Sequence, residues 1–258
     1  MDTLKIGSFN TKDNNINRNG GMRDDGISNA DILATQIKEN EIDLLGTQEL
    51  TINYVNELAV RLKGYKFYGS YRYGNKLTKM PYNENNNIIT NKTVLSQQTI
   101  WLPWIPNNFR DLKMSITKMS IMPRIATIVI TEDEKYGKIC MINTHLDYQI
   151  PSVQIRQLAA LKKLVAKYSQ QYPVVLTGDF NMEIGDKKLD SFIEDIKENN
   201  MRRVQINENT WYDKNGDGKT LDHIFLPKDW NIENASVLDS NGTSDHKPIY
   251  VEASIKHR

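Results

Sequence analysis

The chain has 258 residues, is 39% hydrophobic and 25% charged, and carries 33 basic and 32 acidic side chains for a net charge of +1. This is the composition of a folded globular protein long enough to bury a substantial core, and so even a balance gives no global attraction to nucleic acid or anionic membrane, although a local basic rim can hide in a neutral total. The single cysteine, Cys140, excludes an internal disulfide framework and a zinc cluster of cysteines.

The N-terminus, Met1-Asp2-Thr3-Leu4-Lys5, has no basic region followed by an apolar one, so no signal peptide is expected. No apolar run is long enough to span a bilayer. The expectation is a soluble protein, without stable membrane insertion, that is cytoplasmic or secreted with its signal removed. A first strand is predicted over 4–9. Ser28-Asn29-Ala30-Asp31 reads as a helix N-cap with an acid three residues on, ahead of Ile32, Leu33 and Ile37. A strand over 42–46 and helical spacing over 52–62 follow. The Asn-rich stretch 83–91 reads as a loop or strand edge, not a domain boundary. Strands are predicted over 125–131 and 138–143, the second placing Cys140 as a buried small hydrophobe. Helical periodicity over 155–165 puts Leu158, Leu161, Leu164 and Val165 on one stripe. A strand over 174–177, a helix over 188–197, a strand over 223–226 and an alternating segment over 248–255 complete the order. Hairpin-like strand runs mix with isolated helices, without regular βα alternation, and the glycine fingerprints of a dinucleotide fold or P-loop are absent. With no internal repeat and no low-complexity linker, residues 1–258 read as a single domain.

Six short segments place polar, metal-competent side chains at or just beyond apolar runs. Asn10 follows Ile6-Gly7-Ser8-Phe9, and Glu49 ends Asp43-Leu44-Leu45-Gly46-Thr47-Gln48-Glu49. His145 lies in Asn143-Thr144-His145-Leu146-Asp147, and Asp179 and Asn181 lie in Thr177-Gly178-Asp179-Phe180-Asn181. Asp222 heads Asp222-His223-Ile224-Phe225, and Asp245 and His246 sit in Thr243-Ser244-Asp245-His246-Lys247-Pro248. Singly, each is also an ordinary turn or capping residue. Together, each at a strand end, they suit phosphate-ester chemistry, which needs charge neutralised at the phosphoryl oxygens and a positioned water. A hard cation such as Mg²⁺ takes oxygen ligands and keeps several waters, so Glu49 with Asn10 suffices for part of its shell. A period of two points Asp179 and Asn181 to the same side while Phe180 packs inward. A histidine beside a carboxylate, as in Asp245-His246, suits proton transfer or oxyanion stabilisation.

Thr-Gly-Asp-Phe-Asn and Ser-Asp-His-Lys-Pro, in this order after Gln-Glu and Thr-His-Leu, resemble the motifs of the endonuclease/exonuclease/phosphatase superfamily of metal-dependent phosphoesterases. The match runs from Ile6 to Val251. The resemblance implies an α/β fold: a four-layer sandwich of two mostly antiparallel β-sheets flanked by helices. It implies Mg²⁺, with Mn²⁺ an alternative, held by Glu49, Asp245 and Asn10, the last as ligand or water-mediated partner. It implies that Asp179 orients or activates the attacking water, that Asn181 holds the phosphate, and that Asp222 fixes the tautomer and orientation of His246. His145 resembles a second, phosphate-facing histidine, and Glu84 stands where some members keep a carboxylate that pairs with it. Arg124 stands where similar members bring an arginine to the substrate phosphate, an ordinary solvated arginine being the alternative. Arg156 and Gln157 resemble the helix of a bacterial branch carrying Thr-His-Leu-Asp-His, and here Tyr148 replaces the second histidine. Arg156 itself reads as structural.

Substrate choice is expected in two loops, 65–91 and 100–122. The first interleaves Tyr68, Tyr71, Arg72, Tyr73, Lys76 and Lys79, which suits base stacking and phosphate contact or a half-buried strand pair. The second holds Trp101-Leu102-Pro103-Trp104-Ile105-Pro106, of which at least one Trp is expected in the core. Asp213-Lys214-Asn215-Gly216-Asp217-Gly218 matches the first half of an EF-hand loop, but Ile224 stands where a bidentate Glu is required, so it reads as a polar loop. The expected function is Mg²⁺-dependent hydrolysis of a nucleic-acid phosphodiester by a monomer. The alternative is a phosphatase or diesterase acting on phosphoinositide, sphingomyelin or another lipid or sugar-phosphate headgroup. A degenerate relative that only binds is a third class, opposed by the retention of Glu49, Asp179, Asn181, Asp222, Asp245 and His246.

Overall fold

Short apolar runs without polar alternation form strands buried on both faces, and that is what they do here. The computed structural model describes residues 3–12, 26–77, 83–117 and 122–255. In chain order the strands are β1 (Leu4–Asn10), β2 (Leu44–Gln48), β3 (Lys66–Tyr68), β4 (Ile88–Thr90), β5 (Thr93–Leu102), β6 (Arg124–Asp133), β7 (Gly137–His145), β8 (Val174–Asp179), β9 (Met201–Arg203), β10 (Trp211–Tyr212), β11 (Gly218–Lys219), β12 (Asp222–Pro227), β13 (Asn231–Val237) and β14 (Ile249–Ser254). The helices are α1 (Asn29–Glu39), α2 (Ile52–Arg61), α3 (Phe109–Thr117), α4 (Pro151–Ser169) and α5 (Lys187–Ile196).

Two six-stranded sheets result, in the orders β13-β14-β1-β2-β4-β3 and β5-β6-β7-β8-β12-β9, and β10 and β11 form a separate hairpin. Only β1–β2 and β7–β8 pair in parallel within them. Alternation of side chains sorts the core into layers. In β7, Ile139 and Met141 face the other sheet while Cys140 and Ile142 face α4 and α5. In β2, Leu44 points between the sheets and Leu45 toward α1 and α2. The order is therefore helices, sheet, sheet, helices, as the resemblance implies. Cys140 is fully buried, and burial pushes its thiol up to about 12.

The helix signals act as their chemistry dictates. Ser28 and Asp31 form a reciprocal capping box at α1. The helix predicted over 155–165 is longer at both ends, and at its start Asp147 Oδ1 accepts the N–H groups of Gln149 (2.8 Å) and Ile150 (2.6 Å) and turns the chain into Pro151. Three expectations need correction. The Asn-rich stretch contains β4, which lies inside the first sheet between β2 and β3. Its asparagines are buried because they bond backbone: Asn83 Oδ1 accepts from Tyr73 N (2.9 Å) and Asn86 Nδ2 donates to Ile125 O (3.0 Å). Residues 100–122 are not all loop, since they include α3 and the end of β5, an edge strand largely exposed. Neither Trp101 nor Trp104 is core. Trp101 is 49% exposed with its indole donating to Arg72 O at 2.8 Å, and Trp104 is half-buried. The buried tryptophan is Trp230. Residues 213–217 join β10 and β11 as a loop exposed at 214–217, closed by Asp213 Oδ1 accepting from Asn215 N (2.8 Å) and Asp217 N (2.9 Å). Among the described residues no helix is long and apolar enough to cross a membrane.

His223 packs edge-on to Phe180, with centroids 5.6 Å apart, and its Nε2–H donates to Met182 O at 2.8 Å. Burial pushes it down to about 4, helped by Arg203. The unfolded chain binds this proton near pH 6.5, so stability is full above that pH and lost as pH falls toward 4. Between pH 7 and 5, denaturant unfolding of the wild type should lose about 2 kcal/mol more than that of His223→Gln. Equal losses would contradict a buried neutral His223.

Candidate active site

Strand direction gathers the polar residues at one end of the sandwich. Asn10, His145 and Asp179 are the last residues of β1, β7 and β8, and Glu49 follows β2. Asp222 is the first residue of β12, which runs antiparallel to β8, and Asp245 and His246 precede β14, which runs antiparallel to β1. Beneath them the layer between the sheets turns from apolar to amide. Gln48 Nε2 donates to Asn143 Oδ1 (2.8 Å), and Asn143 Nδ2 donates to the carbonyls of Thr47 (2.8 Å) and Asn87 (2.9 Å). Gly46 permits this close approach, since a Cβ there would lie 2.2 Å from Thr177 Oγ1 and 2.5 Å from Asn143 Oδ1.

Asp179 is the hub. Its Oδ2 accepts from Asn10 Nδ2 at 2.9 Å and lies 3.5 Å from His145 Nε2 and 3.6 Å from His246 Nε2, while its Oδ1 accepts from Asn181 N at 2.8 Å. The Asn10 amide also donates to Glu49 Oε1 at 3.1 Å, and its Oδ1 accepts from Lys12 N at 3.0 Å. Two carboxylate neighbours on one side and an N–H on the other fix its orientation, so Asn10 aligns Glu49 and Asp179. Glu49 and Asn181 both take left-handed backbone, with φ of 60° and 53°. For Glu49 this costs on the order of 1 kcal/mol. The β alternation thus ends at Asp179, and Asn181 reaches the site by a turn that its Nδ2 fastens to Leu146 O (3.1 Å).

His246 Nδ1 donates to Asp222 Oδ2 at 2.8 Å. Burial disfavours its charge, but Asp222, Asp179 and Asp245 outweigh burial and raise it to about 10. Asp179 is pushed up to about 7, chiefly by burial and also by Asp222, against the opposing pull of His246. His145 lies well below the usual histidine range, because it is buried and faces Arg124, Arg72 and His246. The surroundings thus favour the charged form of His246 and the neutral form of His145, and the Asp179 carboxylate between them is biased toward holding a proton.

Glu49, His145, Asp179, Asn181, Asp245 and His246 line a cavity of about 550 Å³ together with Lys12, Arg72, Glu84, Arg124, Trp211 and Lys219, while Asn10 and Asp222 act from outside its lining. Arg124 and Arg72 are 5% and 6% exposed, and Arg124 Nε has no hydrogen-bond partner. Glu84 does not pair with His145 as the resemblance implied. It pairs with Arg72, whose backbone N–H also donates to Glu84 O at 2.9 Å. The loop expected to present aromatics and cations instead buries Tyr71 and Arg72, and Lys79 lies outside the described residues. Arg156 donates to Ile105 O, away from the cavity. Lys12, Trp211 and Lys219 were not legible as site residues. Trp211 reaches the site because its indole donates to Asp245 Oδ2 at 3.1 Å and its backbone bridges to His246.

Two groups of donors could hold a cation. Ligand atoms of Asp179, Asp222 and His246 lie within 4.8 Å of one another, yet His246 Nδ1 is already bonded to Asp222 and Asp179 Oδ2 to the Asn10 amide, which leaves that group poorly suited to metal. Glu49 and Asp245 offer carboxylates to the same cavity, and Asp245 Oδ1 is buried without a hydrogen-bond partner. That all-oxygen set fits a hard divalent ion.

The family model described as "Endonuclease/Exonuclease/phosphatase family" matches residues 15–246. No curated protein matches the chain by sequence. Among solved structures, the endonuclease/exonuclease/phosphatase from Bacteroides vulgatus superposes with a TM-score of 0.76 at 20% identity, covering 99% of this chain and 100% of that one. A mannosyl-6-phosphatase from Bacteroides thetaiotaomicron VPI-5482 gives 0.76 at 18% identity, over 98% and 100%. D. rerio TDP2 complexed with single strand DNA product gives 0.72 at 16% identity, over 98% and 100%.

The Asn10 amide joins the two sheets at this end. Asn10→Ala should lower unfolding free energy in urea by about 1–3 kcal/mol, because a buried carboxylate loses its donor. A loss under about 0.5 kcal/mol would show that the bridge contributes nothing.

Proposed function

The chain belongs to the Endonuclease/Exonuclease/phosphatase family, and on that premise we propose that it hydrolyses phosphate esters as one catalytic domain, by attack of a positioned water assisted by a divalent metal. One observation carries the assignment: His246, hydrogen-bonded to Asp222 at 2.8 Å, lies 3.6 Å from the Asp179 carboxylate in a cavity walled by two buried arginines. Asp179 accepts the proton of the attacking water. Asn181 and the Asn10 amide hold that carboxylate in place. His246 donates its Nε2–H to a phosphoryl oxygen, and Asp222 keeps the imidazole oriented and charged. Neutral His145 donates to the phosphate without adding charge, while Arg124 supplies charge-assisted hydrogen bonds. Glu84 acts through Arg72 by fixing its guanidinium. Glu49 and Asp245 would hold the metal, Mg²⁺ or Mn²⁺ by their oxygen donors, with Asn10 supporting Glu49. Such an ion neutralises charge at the phosphoryl and leaving oxygens.

The Arg124 guanidinium, its Nε unpartnered in a wall it shares with the Arg72–Glu84 pair, supports a compact anionic substrate, a phosphate monoester such as a sugar or lipid headgroup phosphate. The similarity to a mannosyl-6-phosphatase agrees with it. Trp211 at the cavity, with Lys12 and Lys219 beside it, supports a second reading, a nucleic-acid phosphodiester stacked on the indole. TDP2 binds single-strand DNA product on the same fold.

Turnover of p-nitrophenyl phosphate, bis-p-nitrophenyl phosphate and supercoiled plasmid should be measured with Mg²⁺, with EDTA, and in His246→Ala. The expected result is Mg²⁺-dependent hydrolysis greatest for the monoester, with kcat reduced roughly 10²–10⁴-fold in a variant that still unfolds cooperatively. Plasmid nicking with no monoesterase activity would favour the second reading. Full activity in His246→Ala would remove the assignment.

A further inference from the structure

We propose that Lys12 is the resident counter-ion of Asp245 and gives up that carboxylate when a divalent cation binds, so that the lysine sets the metal affinity of the site. The inference rests on reading Asp245 as a metal-side carboxylate.

Three observations converge on Lys12. Its ammonium forms an ion pair with Asp245 Oδ2. The same oxygen accepts from Trp211 Nε1 at 3.1 Å, and the other, Oδ1, is buried without a hydrogen-bond partner. An ionised carboxylate has about four acceptor sites, so Asp245 retains capacity that the lysine and indole do not use. Second, the two halves of Lys12 differ in freedom. Its backbone is fixed in the left-handed region, at φ 47°, with the N–H donating to Asn10 Oδ1 at 3.0 Å. Its side chain is 48% exposed, so the ammonium can leave Asp245 while the backbone stays anchored to the amide that aligns Glu49 and Asp179. Third, Lys12 lines the same cavity as Glu49, Asn181 and Arg124.

A lysine suits this task because its charge is compact, monovalent and carried on a flexible stem. A divalent ion at the same carboxylate brings twice the charge and displaces it. The released ammonium remains at the cavity wall and turns to the phosphate. Loading of the metal and attraction of the anion are then coupled through one side chain. Without metal, the ion pair supplies Asp245 with a cation at the Oδ2 atom that faces the cavity.

The test is binding of Mn²⁺ to the full chain, followed by electron paramagnetic resonance of the free ion, for wild type, Lys12→Met, Lys12→Arg and Glu49→Ala. Lys12→Met should bind Mn²⁺ roughly three- to tenfold more tightly, the modest range expected for a half-exposed charge, and the gap should narrow with added salt. Lys12→Arg should return affinity to within about twofold of wild type. The KM for a phosphate ester should rise in Lys12→Met despite tighter metal binding, a split that a merely structural lysine does not produce. Tryptophan fluorescence should change with Mn²⁺ in wild type and Lys12→Met and lose that response in Trp211→Phe. If wild type binds Mn²⁺ and Glu49→Ala does not, yet Lys12→Met binds no more tightly than wild type, the role of Lys12 is overturned and the metal reading stands. If wild type takes up no Mn²⁺, or Glu49→Ala binds it equally well, the metal reading itself is overturned.

Discussion

The site depends on one amide between two carboxylates. Asn10 ends a strand of one sheet, Asp179 ends a strand of the other, and the Asn10 Nδ2 group donates to Asp179 and to Glu49. Two acids held to one amide, Asp179 buried and Glu49 half-buried, repel unless a donor sits between them. The sandwich supplies that donor from β1, so packing of the two sheets and alignment of the acids are the same event. The amide layer below, centred on Asn143, extends the arrangement. Every buried polar atom it satisfies fixes the depth at which β2, β7 and β8 end.

From that constraint follows the division between the histidines. Both are buried, and burial alone would leave both neutral. Both lie near Asp179, but Asp222 and Asp245 at His246 favour its proton, whereas Arg124 and Arg72 at His145 disfavour one. The sides of the cavity therefore differ in kind. One offers a fixed cation beside a carboxylate that exchanges protons, and the other offers guanidiniums and a neutral donor. A tetrahedral anion placed between them meets donors on each side, while Glu49 and Asp245 remain as oxygen donors for a metal.

Much of this was legible in the chain because strand ends announce themselves. Apolar runs at 4–9, 42–46 and 174–177 locate β1, β2 and β8, and the polar residues just beyond them are the ones the fold gathers. The order of the motifs added the family, and with it the layering that periodicity could not supply. What escaped reading has physical causes. β4 hides in an asparagine run because its neighbours satisfy backbone groups through side chains, so a buried segment is written in polar letters. β5 is an exposed edge strand without clean alternation. Arg72 looked like part of a stacking loop, since its partner Glu84 is twelve residues away. Trp211 joins the site through a long-range bond to Asp245, and no local pattern encodes that.

The most direct test of the account is the single-turnover rate of Asp179→Asn on the best phosphate ester, with its urea unfolding curve measured alongside. An amide can hold the Asn181 N–H and fill the same volume but cannot accept a proton from water. The account predicts a variant that unfolds cooperatively, still takes up metal through Glu49, and turns over at least roughly 10³-fold more slowly. A rate within about tenfold of wild type would contradict the placement of Asp179 at the centre of the chemistry.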